Sequence, residues 1–530
     1  MQVNIVGAGL AGLSAAIKLA EKNISSNLIS LLPSERSQSV LAEGGINGAL
    51  NTMGEDDEPA FHMADTLKAG VYIADEEAVK GLTFNAPLIL KDLKRLGVPF
   101  NLKNEQIQLR NFGGQKKKRT AYARSSTGKV LMTALIDEAR RHEASGLITR
   151  YPHHELMGFI ISEGKCSGVT IRDTYTGMQQ LLSGPVILAT GGMNGIFPGM
   201  TTGTVTNSGD AAAMAFAAGV CFSNLEMIQY HPTTIGIAGK RCLVSEAARG
   251  EGGRLFIMRG GSKWFFMEEK YPELGNLMPR DVVAREMYFV SHSSECQDQV
   301  YLEMMHLPKE TWQKKLPDLR AEVQHYLGID PAKEPIPVEP GIHYFMGGID
   351  VDINHRTNIE NLYAAGECCS QYHGANRLGG NSTLGAIYGG RVAAKDLAER
   401  IEAGEINEIK APEAELPVCD EPARPEFIEA LSKTLLGALG IVRCGEKLEE
   451  AVQAVRMTGR EGLGEREINR LNLAEAMLLS ASFRKESRGA HYRSDYPDRD
   501  GDFKCAVLAR LSDGRINISR KIDQKNGNSL

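Results

Sequence analysis

Residues 3–20 constrain the fold more than any other part of the sequence. Val3-Asn4-Ile5-Val6 is a short apolar run, Gly7-Ala8-Gly9-Leu10-Ala11-Gly12 is a glycine turn, and Leu13 to Leu19 continues with helical apolar spacing. Strand, glycine turn and helix in this order match the dinucleotide-binding fingerprint. The first glycine turns sharply, the second lets a pyrophosphate approach the backbone, and the third lets helix pack on strand. The helix N-terminus then faces the phosphates with its partial positive charge. In the NAD version an acidic residue about twenty positions on holds a ribose hydroxyl. The next strand candidate, Asn27 to Leu32, has no acid until Glu35, which argues against NAD.

Two later segments read as strands of the same parallel sheet, Pro185 to Gly192 and Asn361 to Glu367, each a continuous apolar run ending in a glycine turn or an acid. At about 150 residues per domain, 530 residues suggest roughly three or four domains, or two large ones with elaborations. Between about 232 and 340 the texture changes, with helical stretches expected at Asp281 to Val290 and Lys309 to Leu327. A Pro- and Glu-rich linker, Pro412 to Pro417, precedes amphipathic helices expected at Glu426 to Leu439, Glu446 to Met457 and Glu465 to Ser482, and a final strand pair is expected within Val507 to Ile518. The expected partition is 1–231 with 341–411, an inserted domain 232–340, a helical domain 412–487 and a tail 488–530.

Composition narrows the function classes. With 42% hydrophobic and 24% charged residues the chain is a folded, water-soluble protein. Sixty Lys and Arg against 66 Asp and Glu give a net charge of −6, so neither nucleic acid nor an anionic membrane is an expected partner. Nine cysteines, an odd count without a CxxC, suggest neither a disulfide framework nor a metal or iron–sulfur ligand set, and a reducing cytoplasm is the expected compartment. The opening strand leaves no room for a signal peptide, and the longest apolar stretch, Ala211 to Phe222, falls short of the ~20 residues a bilayer span needs. Any membrane association is therefore expected through another chain.

Seven further segments join the glycine turn: Ala42-Glu43-Gly44-Gly45-Ile46, Gln229-Tyr230-His231-Pro232-Thr233, Glu246-Ala247-Ala248-Arg249-Gly250-Glu251-Gly252-Gly253, Pro279-Arg280-Asp281-Val282-Val283-Ala284-Arg285, His343-Tyr344-Phe345-Met346-Gly347-Gly348, His373-Gly374-Ala375-Asn376-Arg377-Leu378-Gly379-Gly380-Asn381-Ser382 and Glu486-Ser487-Arg488-Gly489-Ala490-His491. In this order the chain resembles, over nearly its whole length, the flavoprotein subunits of succinate dehydrogenase and fumarate reductase together with L-aspartate oxidase. The resemblance implies an α/β FAD-binding domain of Rossmann-like, glutathione-reductase-type architecture, an inserted α+β capping domain and a C-terminal helical domain.

The resemblance also assigns roles. FAD is expected against Gly7, Ala8, Gly9 and Gly12 at the pyrophosphate, Gly44 and Gly45 at the flavin, Asp210 at the nucleotide, Glu367 at the sugar alcohol chain, and Ser382 and Thr383 at the isoalloxazine. Asp210 is also placed to cap the helix beginning at Ala211. Reduction of a butenedioate needs two clamped carboxylates, a hydride donor and a proton donor. The family implies Arg280 as the acid, with Glu246 and Arg249 as its relay, and His231, Ser245, His343 and Arg377 as substrate groups. Arginine suits a bidentate carboxylate grip. Its free pKa above ~12 makes it an unusual acid, which a dry site with neighbouring positive charge favours. The bland alternative for Arg280 is an ion pair with Asp281 or Glu246.

Two departures bear on which family member the chain resembles. Where respiratory members attach FAD covalently to a histidine, this chain has Gln38, so FAD is expected to be non-covalent and fumarate reduction to be favoured, although aspartate oxidases also hold FAD non-covalently. Where aspartate oxidases carry a glutamate that meets the substrate ammonium, this chain has Phe112, and an unpaired buried ammonium costs several kcal/mol. Fumarate and succinate are the expected substrates. L-aspartate oxidase is the alternative, a non-catalytic flavin-binding scaffold for an iron–sulfur partner is a second, and an iron–sulfur electron-transfer subunit is the partner the resemblance allows. Lys116-Lys117-Lys118-Arg119 is expected to be a solvated loop, and Cys368-Cys369 to be small packing residues.

Overall fold

The computed structural model describes residues 2–123, 126–294, 296, 299–407 and 421–521. The expected linker Pro412 to Pro417 lies outside the described residues. A parallel sheet anchors the molecule, formed by β1 (Val3–Val6), β2 (Ser26–Ser30), β3 (Ile148–Pro152), β4 (Val186–Leu188) and β5 (Leu362–Ala364) in the order β5-β4-β1-β2-β3. Strands β1, β4 and β5 are buried along their length and read as mainly apolar runs, whereas the edge strand β3 is partly exposed and mixed in composition. Ile5, Leu28, Ile187 and Tyr363 pack toward the helix α1 (Leu10–Ala20), and Val6, Ile29, Leu188 and Leu362 pack into the opposite layer.

The glycine turn between β1 and α1 is fixed by close backbone approach. Gly7 has φ +113°, and a Cβ there would lie 2.1 Å from the Ala189 carbonyl oxygen. A Cβ on Gly12 would lie 1.8 Å from the Gly7 carbonyl oxygen. Gly12→Ala is therefore expected to destabilise the protein by about 1–3 kcal/mol or more through overpacking. The checks are the melting temperature and the FAD recovered per chain. Unchanged values would refute the packing role of Gly12.

The strand Ile228–Ile237 leaves this sheet region and pairs antiparallel with Glu339–Phe345, with His231 opposite Gly341. The sequence changes texture at these two paired positions. Between them stand a four-stranded sheet, Ser262–Trp264, Arg254–Arg259, Tyr301–Glu303 and Ile336–Pro337, and the helix α2 (Arg280–Ser291), around their own core of Leu255, Ile257, Met287, Leu302 and Trp312. The helix expected over Lys309 to Leu327 is two helices, Lys309–Lys314 and Pro317–Leu327. Pro317 has no N–H and is tolerated only at a helix start, so it begins the second.

The C-terminal helices are Pro425–Ala438, Gly445–Met457 and α3 (Glu465–Phe483). Val507–Ser512 and Arg515–Arg520 form the expected pair, and the first of them also pairs with Phe222–Ser223, completing a five-stranded sheet with Gly348–Asp350 and Cys369–Ser370. The solvated loop expected at Lys116 to Arg119 holds only in part. Lys118 pairs with Glu55 at the surface, but Arg119 is wholly buried, with Nη2 3.0 Å from both Asp57 and Asp65. Paired charge is what lets a guanidinium leave water. Cys368 and Cys369 are buried free thiols. Among the described residues no helix is long and apolar enough to cross a membrane.

Candidate active site

One continuous cavity runs from the glycine turn to the start of the inserted domain. Its nucleotide end is lined by Gly7, Ala8, Gly9 and Asp210, its middle by Gly44, Gly45, Glu367, Ser382 and Thr383, and its far end by Phe112, His231, Ser245, Glu246, Arg280, His343 and Arg377. Of the residues expected at the site, Gly12 and Arg249 do not line it: Gly12 packs beneath the turn, and Arg249 stands behind Glu246. Asp210 does not cap its helix. Gly209 is the N-cap, and the Asp210 carboxylate accepts from Ser208 Oγ at 2.9 Å and Arg470 Nε at 2.6 Å.

The lining suits a flavin dinucleotide. The approach at Gly7 leaves bare backbone facing the cavity, Ser39 Oγ accepts the first helical N–H, Leu10, at 3.1 Å, and Thr383 Oγ donates to the Gly45 carbonyl at 2.9 Å. Burial raises the Glu367 carboxyl to about 7, against the Phe345 N–H that donates to it at 3.1 Å. A neutral or singly charged acid beside an opening of this kind can donate to or accept from hydroxyls. Gln38, in the covalent-linkage position, accepts the Thr204 N–H at 2.6 Å.

At the far end five chain segments converge. His231 and His343 come from the two paired strands that lead into and out of the inserted domain, with ring centroids 5.2 Å apart. Glu246 precedes the short helix Ala247–Gly250, and Arg280 opens α2 behind Pro279. Arg377 lies in the loop before the helix Asn381–Glu402, with its guanidinium 4.4 Å from the Tyr344 ring centre. Glu246 joins two arginines. Its Oε2 accepts from Arg280 Nε at 2.9 Å and Nη2 at 2.5 Å, and its Oε1 lies 3.5 Å from Arg249 Nη2. Gln229 Oε1 accepts from Arg280 Nη1 at 3.1 Å, which fixes the plane of the guanidinium. Arg280 thus takes Glu246, not Asp281, as its ion-pair partner.

Electrostatics follow from this burial. Burial alone would raise the Glu246 carboxyl, but Arg280, Arg249 and Arg377 outweigh it and hold it down to about 2. Burial and then the charge of Arg280 push His231 and His343 well below the usual imidazole range, so both are neutral. The same two causes bring Arg377 down to about 9. Three buried guanidiniums thus face a single ionised carboxylate. His231 Nε2 and Arg377 Nε are buried without a protein partner.

Glu43 belongs to the Ala42 to Ile46 motif, to which the resemblance assigns no acidic role. It lines the cavity, shares a hydrogen bond with Ser245, and burial, aided by Glu322, raises its carboxyl to about 8. Tyr344, Gln229 and Arg466 are further site residues that the sequence does not single out. Tyr344 and Gln229 share the motifs of His343 and His231, whereas nothing local marks Arg466.

The chain matches the family described as FAD binding domain over residues 2–383 and that described as Fumarate reductase flavoprotein C-term over residues 465–522. It is 37% identical to the succinate dehydrogenase flavoprotein subunit of Bacillus subtilis over 94% of this chain and 92% of that protein. It is 33% identical to the L-aspartate oxidase of Streptomyces coelicolor over 97% and 92%. Among solved structures, E. coli quinol fumarate reductase FrdA carrying a glutamate-to-glutamine mutation superposes with TM-score 0.88 at 30% identity, over 98% of this chain and 96% of that one.

Proposed function

The chain belongs to the family of succinate dehydrogenase and fumarate reductase flavoprotein subunits, FAD-dependent oxidoreductases of the α/β fold expected above, and on that premise we propose that it interconverts fumarate and succinate, with fumarate reduction favoured. The observation that carries this is the excess of buried guanidinium charge around two neutral imidazoles, which suits a dicarboxylate dianion. FAD, once bound, supplies the hydride at N5. Arg377 grips one carboxylate bidentately. His231 Nδ1 meets both the carbonyl oxygen and the N–H of Thr233, at 3.1 and 3.3 Å, which fixes the ring and leaves Nε2, without a protein partner, for the substrate. His343, held through Nδ1 by Thr202 Oγ at 2.8 Å, and Ser245 complete the clamp, which draws charge off the carbon that receives hydride. Arg280 gives its proton to the other alkene carbon and is reprotonated across Glu246 from Arg249. Gln38 offers no nucleophile for a covalent flavin link, so FAD is held by non-covalent contacts. A subunit that shuttles electrons, of iron–sulfur type, is the proposed partner.

Glu43 favours a second reading, aspartate oxidation, because it is a cavity carboxyl that an ammonium could meet. The test is direct. The purified yellow protein is precipitated with acid and assayed for fumarate reduction by reduced viologen and for aspartate oxidation by oxygen. Acid-released flavin with fumarate turnover alone is expected; aspartate turnover exceeding fumarate turnover would reverse the ranking.

Glu43 also sets a pH dependence. Below about 8 its carboxyl is neutral; above it the carboxylate repels a dianion, so KM for fumarate should rise there. Glu43→Gln should flatten that limb, and an identical profile in the variant would remove Glu43 from the site. The stability effect has the same direction. A carboxyl whose folded pKa is raised binds its proton more tightly when folded, so stability is greatest below 4.5 and falls as pH rises through about 8.

A further inference from the structure

Two carboxylates, Asp210 and Glu155, line the nucleotide end of the cavity, where the anionic diphosphate of FAD must enter. Left bare in a site that excludes water, they would repel it. They are not bare. Arg470 Nε donates to Asp210 Oδ1 at 2.6 Å, and Arg466 Nη1 donates to Glu155 Oε2 at 2.8 Å. Arg172 Nε donates to the other Glu155 oxygen at 2.6 Å. Arg466 and Arg470 stand one turn apart near the start of α3, 311 and 260 residues beyond the acids they meet. Their side chains are 9% and 4% exposed, and Arg466 itself lines the cavity. The helical segment therefore forms part of the wall around the nucleotide.

We infer that Arg466 and Arg470 retain the cofactor: Arg470 neutralises Asp210, Arg466 joins Arg172 on Glu155, and together they make α3 the closing wall of the adenosine half of the FAD site. FAD binding and the docking of α3 then strengthen each other by the same factor. This rests on the cavity holding FAD as read above. It also answers how a flavin without a covalent link at Gln38 is kept, because its hold moves to the end of the molecule far from the isoalloxazine.

The experiment compares wild type with Arg466→Met/Arg470→Met, using apoprotein and three probes: FAD, ADP and FMN. The double variant should bind FAD and ADP about tenfold or more weakly, within the usual range of such couplings, with FMN affinity unchanged and with Arg466→Lys/Arg470→Lys recovering part of the loss. Equal weakening of FAD and FMN, or no change in either, would overturn the inference. Hydrogen exchange of wild-type amides 465–472 gives a second measure should the double variant not fold. FAD should slow exchange there and FMN should not, and equal rates would overturn the coupling. Failure of wild type to bind FAD at all would refute the premise instead.

Discussion

Arg280→Lys is expected to lower fumarate reduction by about 10³–10⁴-fold while FAD content and the flavin spectrum stay unchanged. Positioned proton transfer contributes about 10²–10⁴-fold, and fixed charge at a developing anion adds to it. The geometry at Arg280 explains why a lysine should not substitute. Three guanidinium nitrogens are held, two by Glu246 and one by Gln229. An ammonium has no plane to be held in and one nitrogen to share, so the donor leaves the position these partners define. Loss should fall mainly on kcat, since Arg377 and the two histidines still bind the dicarboxylate. Single-turnover oxidation of the reduced flavin by fumarate is the measurement, and a rate within tenfold of wild type would remove Arg280 as the acid.

Arg484→Met should cost about 3–5 kcal/mol of stability. Arg484, Glu226 and Glu486 are all wholly buried. Arg484 Nε lies 2.7 Å from Glu226 and Nη1 2.9 Å from Glu486, and its remaining donors reach the carbonyls of Phe503 and Cys505 at 2.9 Å. Removing the arginine leaves Glu226 charged and unpaired in the interior, whereas Glu486 keeps Arg488 at 2.6 Å. Adding Glu226→Met should therefore recover part of the loss, because an absent ion pair is tolerated better than half of one. The denaturation midpoints of the single and double variants check this. A double variant less stable than Arg484→Met would show that packing, not the stranded charge, sets the cost.

These two sites show where the sequence is informative. The glycine turn, the strands around residues 187 and 363 and the C-terminal helices each follow from local periodicity and punctuation, because the physics that forms them acts over a few residues. The break at Pro317 is equally local, a proline that interrupts an otherwise helical apolar pattern. Charge pairing is different. Arg119 looks like any residue of a basic surface run until Asp57 and Asp65 are folded over it, and Arg466 looks like part of an exposed helix start until Glu155 arrives from 311 residues upstream. The family motifs brought His231, His343, Glu246, Arg280 and Arg377 into view together. Glu43 sat unassigned within one of them, because its unusual proton affinity comes from burial and from Glu322 and Asp318 of the inserted domain.

The sheet that Val507–Ser512 and Arg515–Arg520 complete also dictates a timetable. Phe222 finds its partner in Ala509, and at roughly 5–20 residues per second a ribosome needs on the order of 15–60 s to travel between them. Throughout that interval the nascent chain shows an unfinished strand edge next to a large apolar layer, a surface on which other chains can pair. Such distant pairing also slows folding after release. Production of this protein should therefore be limited by how well the half-made chain is shielded during synthesis rather than by the stability of the finished molecule.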